Sequence, residues 1–352
     1  MKKMLALLLV ATTLLGLVAC GETPVETTGS TTESTTETTP TVTESVTETT
    51  ATTTESTTEI TIESTTESTD IEPEPLAEAA ALDMNAVKNH DWINLWPGEI
   101  DPCDNGKSEV SPRAKISAYL VDKAKSCVII FPGGGYNTCT EPSEGTNIAS
   151  AYNNNGISAF VVHYRCFPQD RNAYLADGHR AVQFVRYYAA EFDIDPEKIA
   201  VCGFSAGGHL AMITCEHEAV NHAYDVIGEV SARPNACVFS YAVLTLDNHN
   251  TSTTDKFFFY ENKNDEELRA LYSCSYNPEA VPPSYIWYGK LDKSVDPAYN
   301  SVMMANLLKE KGIAYQLESF EDCGHGAGLA SSCKKAKYWL GNSVKFLRGQ
   351  GF

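Results

Sequence analysis

Beyond about residue 85 the chain alternates short apolar runs with stretches of helical spacing. Val128-Ile129-Ile130-Phe131 is an apolar run of strand length, closed by Pro132-Gly133-Gly134-Gly135-Tyr136. A helical stretch follows around Thr146 to Asn153, then the strand-like Ser158-Ala159-Phe160-Val161-Val162. From Leu175 to Glu191, the residues Val182, Phe184, Val185 and Tyr188 recur at helical spacing. Asp193-Ile194-Asp195-Pro196-Glu197-Lys198 reads as a turn into Ile199-Ala200-Val201-Cys202. Further strands are expected at Ala236 to Tyr241, Ser284 to Tyr288 and Tyr315 to Phe320, with helices from about Ala298 to Lys311 and Cys333 to Leu347. This alternation predicts an α/β fold, a mostly parallel sheet with helices on both faces. Between Leu246 and Asn277 the pattern is irregular and polar, with one short helical piece near Asp265 to Leu271. Such an insertion is expected over the active site.

Ahead of this region the pattern changes twice. Met1-Lys2-Lys3 and the apolar run from Met4 to Val18 form the charged and apolar parts of a secretory signal, too short for a spanning helix. The run closes in Leu17-Val18-Ala19-Cys20, which resembles the lipobox of bacterial lipoprotein signal peptides. That resemblance implies removal of residues 1–19 and a diacylglyceryl thioether on Cys20, anchoring the chain outside the cytoplasm at a bacterial cell membrane or surface. Each buried CH₂ of such chains contributes about 0.8 kcal/mol, so two or three chains hold stably. From Gly21 to about Ala80 the residues are mostly Thr, Ser and Glu, in repeats of the Glu-Ser-Thr-Thr-Glu type, without Trp, Tyr, Phe, Lys or Arg. A segment of that composition buries too little apolar surface to offset chain ordering. Residues 20–84 are therefore expected to form a disordered tether, roughly 40–45 Å long on average, and residues 85–352 one catalytic domain.

Charge supports this division. The net charge is −20, and the tether alone holds fourteen acidic residues and no basic ones. The remainder is mildly acidic without a basic patch, which argues against nucleic-acid binding. Ten cysteines accompany Cys20. Cys127, Cys202 and Cys237 lie in expected strands and read as buried thiols. Cys103, Cys139, Cys166, Cys323 and Cys333 fall in loops, where one or two bridges are compatible with an oxidising compartment. No CxxC occurs, and His217 and His222 are wrongly spaced for one helix face, so neither a metal nor another cofactor is expected.

Gly203-Phe204-Ser205-Ala206-Gly207 follows an apolar run and precedes the helix-like Gly208-His209-Leu210-Ala211-Met212-Ile213. G-x-S-x-G between a strand and a helix is a nucleophile elbow, in which a strained turn lifts the serine hydroxyl clear of its neighbours. Such a serine needs a histidine base, an acid that orients the histidine, and backbone N–H groups facing the developing oxyanion. In the chain order Ser, acid, His, the candidates are Asp292, just after a predicted strand, and His325, in Asp322-Cys323-Gly324-His325-Gly326. The oxyanion donors are expected on Gly133 or Gly134, together with Ala206. Asp296 is an alternative acid, although it also reads as a helix cap. His249 lies in the irregular insertion, and His209 reads as packing on the elbow helix. His163 and His179 read as structural, and Asp177, Glu141 and Glu144 as solvated or capping charges. A phosphate loop is disfavoured, because no Lys-Ser/Thr follows the glycines.

Leu95-Trp96-Pro97, Pro132-Gly133-Gly134-Gly135-Tyr136, Glu144-Gly145, Tyr164-Arg165, Asp177, Arg180-Ala181-Val182, Gly203 to Ala211 and Gly324-His325-Gly326 occur in this order. Together they resemble the acetyl esterase/acetylxylan esterase-type α/β-hydrolases, a group that includes bacterial carbohydrate and feruloyl esterases. The resemblance implies an α/β-hydrolase fold, a triad of Ser205, Asp292 and His325, and removal of acetyl or other small acyl groups from an oligo- or polysaccharide. A generic short-chain carboxylesterase, a serine peptidase and a non-catalytic surface carbohydrate-binding protein are the competing readings.

Overall fold

The computed structural model describes residues 76–96, 103, 113–219, 225–246, 253–260 and 264–352. The expected signal, Cys20, most of the expected tether, His222 and His249 lie outside these residues. The chain divides into Met1–Asp70 and Ile71–Phe352, and everything described belongs to the second unit.

Among the described residues one sheet of eight strands forms the centre, in the order β1-β2-β4-β3-β5-β6-β7-β8. The strands are β1 (Ile93–Asn94), β2 (Lys115–Tyr119), β3 (Cys127–Phe131), β4 (Ser158–His163), β5 (Ile199–Phe204), β6 (Ala236–Ser240), β7 (Ser284–Gly289) and β8 (Tyr315–Phe320). From β4 to β8 across the sheet all neighbours are parallel, whereas β2 pairs antiparallel with both β1 and β4. The expected α/β-hydrolase architecture is present, with this antiparallel edge as an addition.

Successive residues of a strand face opposite sides, and β3 shows the consequence. Ile129 and Phe131 join one core with Val201 and Phe239, to which α3 (Arg171–Tyr187), α4 (Ala206–Glu216) and α7 (Ser301–Glu310) contribute Val182, Leu210 and Met304. Val128 and Ile130 join the other with Trp287, covered by Tyr152 of α2 (Thr146–Asn153) and by Trp339 and Leu347 of α8 (Trp339–Gly349). Strands buried on both faces need continuous apolar runs, which is why the sequence displays them so plainly.

Four boundaries depart from expectation. Packing against the domain reaches ahead of residue 85: Ala77 bridges Asp225, the Ala80 carbonyl accepts the Tyr188 hydroxyl at 2.6 Å, and Ala79 and Leu82 pack on the core. The first helix, α1 (Met84–Asn89), is capped by Asp83. Helix α3 begins at Arg171 because Asp170 caps it, accepting the Asn172 and Ala173 amides. Among its described residues the insertion carries two helices, α5 (Thr253–Phe258) and α6 (Glu266–Leu271). The closing helix starts at Trp339, after a 3₁₀ turn over Ala336–Tyr338.

Candidate active site

Strand β5 runs straight into α4, and Ser205 is the single residue between them, with φ 51° and ψ −118°. A left-handed φ on a serine is strained, and the surroundings hold it there. The Ser205 amide donates to Ser240 O and its carbonyl accepts the Val243 amide. Gly207 permits the close approach of α4 to β3, since a Cβ there would overlap the Phe131 and Pro132 carbonyls.

The other two residues arrive on loops from the carboxyl ends of β7 and β8, the edge at which open parallel sheets build their sites. His325 Nε2 lies 2.8 Å from Ser205 Oγ. Its Nδ1 lies 2.7 Å from Asp292 Oδ2. The second oxygen of Asp292 accepts the amides of Ser294 and Val295 at 2.9 and 3.0 Å. The Asp292 side chain is 1% exposed and that of His325 22%, so the carboxylate is sealed while the imidazole reaches the cleft. Backbone bonds from Leu291 N–H to Cys323 O and from Lys290 N–H to Phe320 O tie the two loops together. Asp296 instead accepts the Ala298 amide in the turn ahead of α7, whose N-cap is Asn300 rather than the expected Asp296.

The oxyanion donors need one correction. Gly133 N–H already donates to Glu144 Oε2 at 2.8 Å and is spent. Gly133 C=O accepts from Thr140 N–H and Oγ1, and in a trans peptide the following N–H points the opposite way. Gly134 N–H is therefore aimed away from Thr140, and Gly134 has φ +131°, where an L side chain is strained. Ala206 opens α4, where the first-turn amides lack intrahelical acceptors. Gly134 and Ala206 are the donor pair this geometry supports.

Several charges expected at the surface are inside. Asp177 is fully buried. It pairs with Arg165 Nη2 at 2.7 Å and accepts from Arg165 N–H and Trp96 Nε1. Glu144 is 3% exposed and binds Gly133 N–H and the Tyr241 hydroxyl, the latter at 2.6 Å. Burial raises its carboxyl above the ordinary range, while the hydrogen bonds from Tyr241 and Gly133 and the His325 charge act in the other direction. Glu141 does cap α2, accepting the Thr146 hydroxyl and amide. His209 is buried, held between Tyr136 Oη at 2.8 Å and Tyr272 O at 2.9 Å, and burial lowers it to about 4. His179 is likewise buried, while His163 packs edge-on against Trp92.

All ten described cysteines are thiols. Cys139 and Cys166 are 4.0 Å apart at sulfur, and Cys323 lies in contact with Cys333. Among the described residues no group of three metal-ligating side chains converges.

Ser205 and His325 open into a cleft of about 320 Å³ lined also by Thr253, Thr254, Lys293, Ser294 and Val295. The insertion is thus found over the site as expected, and its irregular pattern does not single out Thr253 and Thr254 of α5.

These features have counterparts in known proteins. Endo-1,4-beta-xylanase B of Butyrivibrio fibrisolvens is 32% identical over 222 residues, covering 61% of this chain and 34% of that protein. The acetylxylan esterase of Xylanibacter ruminicola is 27% identical over 225 residues, covering 62% and 45%. The chain thus matches less than half the length of these two relatives. The crystal structure of an acetyl ester-xyloside bifunctional hydrolase from Caldicellulosiruptor lactoaceticus superposes with a TM-score of 0.67 at 32% identity, covering 75% of this chain and 97% of that one. An esterase from Thermogutta terrifontis, at 23% identity and a TM-score of 0.56 over 68% and 90% of the two chains, shares the fold. A family match over residues 118–308 takes in the glycine loop, Ser205 and Asp292. With more than half its length inside that match, the chain belongs to the BD-FAE family.

Proposed function

We propose that this protein is a serine esterase that removes acetyl or other small acyl groups from carbohydrate hydroxyls. The observation that carries the reading is the unbroken line Ser205 Oγ, His325 Nε2, His325 Nδ1, Asp292 Oδ2, with spacings of 2.8 and 2.7 Å across the two hydrogen bonds. His325 takes the Ser205 proton as the hydroxyl attacks the ester carbonyl, and Asp292 holds the imidazole in the tautomer that makes this transfer. The Gly134 and Ala206 amides receive the oxyanion. His325 then protonates the sugar oxygen as its bond to the acyl carbon breaks, releasing the free hydroxyl, and a water repeats the cycle on the acyl-enzyme.

The substrate class is supported by the cleft and by the relatives. Thr253, Thr254, Ser294 and Lys293 are polar residues lining the cleft, with Val295 as its aliphatic member. Such a wall suits a hydroxylated leaving group and a short acyl chain better than a lipid tail. The names acetylxylan esterase and acetyl ester-xyloside hydrolase among the similar proteins point to the same chemistry. A panel of acetylated xylan, feruloylated sugar and p-nitrophenyl esters tests the reading. Preferred turnover of acetylated xylan supports it, and turnover of the p-nitrophenyl esters alone would make the protein a general short-chain carboxylesterase.

We further propose that Cys20 carries the lipid that holds the enzyme at the cell surface, through the tether that follows it. The motif Leu17-Val18-Ala19-Cys20 supports this. Metabolic labelling with a palmitate analogue in the producing cell should mark the native protein and not Cys20→Ala; equal labelling of both refutes it.

A further inference from the structure

We infer that Glu144 is a positioning residue for acyl transfer: its carboxylate fixes the direction of the Gly134 amide and couples the oxyanion loop to the loop that carries His325. The inference rests on the ester-cleaving reading of the site and not on which carbohydrate is cleaved.

The two carboxylate oxygens serve two different loops. Oε2 accepts Gly133 N–H at 2.8 Å. With the Gly133 carbonyl held by the Thr140 amide at 2.9 Å and its hydroxyl at 3.0 Å, the peptide before Gly134 is fixed at both ends and its N–H has one direction left. Gly133 is also packed against the nucleophile: a Cβ built there would lie 3.1 Å from Ser205 Cβ and 2.6 Å from Glu144 Oε2. Glu144 thus stands behind the glycine that stands behind the serine.

Oε1 accepts the Tyr241 hydroxyl at 2.6 Å. That hydroxyl accepts Gly328 N–H at 2.9 Å, three residues beyond the catalytic histidine. The Gly328 carbonyl in turn accepts Trp339 Nε1 at 3.0 Å, which fastens the loop to α8. The Tyr241 ring meets the His325 imidazole edge-on, centroids 5.1 Å apart. One carboxylate therefore spans the donor side and the base side of the site, without touching the reacting atoms.

A carboxylate in so dry a place is unfavourable unless its partners satisfy it. Here both oxygens are satisfied by groups whose placement the reaction depends on. Oxyanion donors act through preorganisation, and a displacement near 1 Å lowers turnover by about 10²-fold.

The test compares the full chain with Glu144→Gln and Tyr241→Phe on p-nitrophenyl acetate. Gln keeps the shape and one acceptor, and Phe removes only the hydroxyl that links Glu144 to Gly328. The expected result is a fall in kcat of roughly 10- to 100-fold with KM little changed. The affinity for a trifluoromethyl ketone analogue of the tetrahedral intermediate should fall by a similar factor. Unchanged kcat and analogue affinity in either folded variant overturns the inference. So does a fall in kcat with analogue affinity retained, since oxyanion placement is then not what was lost. If Glu144→Gln does not fold, Tyr241→Phe decides alone. Absence of activity in the native chain counts against the esterase reading itself, and so is distinguishable from both.

Discussion

Asp292 and His325 are 33 residues apart in sequence and 2.7 Å apart at Oδ2 and Nδ1, because β7 and β8 are parallel neighbours that end at the same edge of the sheet. Their loops are stitched by backbone hydrogen bonds, so the pair is set by the sheet rather than by the substrate. Asp292→Asn should then lower kcat by about 10⁴-fold through the wrong imidazole tautomer, with the fold intact. Asp296→Asn, which alters a turn outside the Asp292–His325 pair, should retain activity. Steady-state kinetics with circular dichroism on both variants checks the assignment of the acid.

The donor side makes a separate prediction. Gly134→Ala would place a Cβ against the Thr138 carbonyl on a backbone at φ +131°. The loop must shift, and losing one oxyanion donor costs about 10²–10³-fold in kcat. The loss should appear in kcat far more than in KM; an unaltered kcat would remove Gly134 from the site.

Buried charge makes a prediction about stability. Asp177 accepts from Arg165 and Trp96 with no solvent contact. Removing one partner of such a pair leaves the other uncompensated, at about 3–5 kcal/mol. Asp177→Ala should lower the urea midpoint accordingly, and a shift under about 1 kcal/mol would show that Arg165 finds another partner.

His209 makes the pH prediction. Burial holds it near 4 in the folded chain, against about 6.5 when unfolded. Between these values the unfolded chain binds the extra proton, so this group's contribution to stability is lost as pH falls from about 6.5 to about 4. At pH 5 the loss is about 2 kcal/mol. Glu144 and Glu216, whose carboxyls burial raises, have the opposite slope: their contribution is lost as pH rises above the ordinary carboxylate range. The histidine is therefore isolated by comparison with a variant. Stability of His209→Gln should fall less than that of the native chain between pH 6.5 and 4; parallel curves would contradict the assignment.

What the chain reveals about itself follows from how local each feature is. The elbow was legible because strand, turn and helix are contiguous around Ser205. Asp292 and His325 were legible because loops after strands converge in a parallel sheet, so chain order and position sufficed. Glu144, Asp177 and the role of Tyr241 were not legible. Whether a carboxylate is solvated or sealed depends on what packs over it, and those groups come from distant segments. The choice between Gly133 and Gly134 is hidden for the same reason: a glycine-rich loop announces free amides, but not which one a buried carboxylate has taken. The antiparallel strand β2 lacks the continuous apolar run that marks β3, because Lys115 and Ser117 interrupt it, and the segment from residue 76 is held by Asp225 and Tyr188, distant residues that no local pattern announces.

The most direct test is covalent. Treat the native protein with a fluorophosphonate and locate the adduct by peptide mass spectrometry. A triad facing two backbone donors should phosphonylate Ser205 stoichiometrically, with matching loss of ester cleavage, and Ser205→Ala should take up no label. Labelling elsewhere, or retention of full esterase activity in Ser205→Ala, would contradict the account.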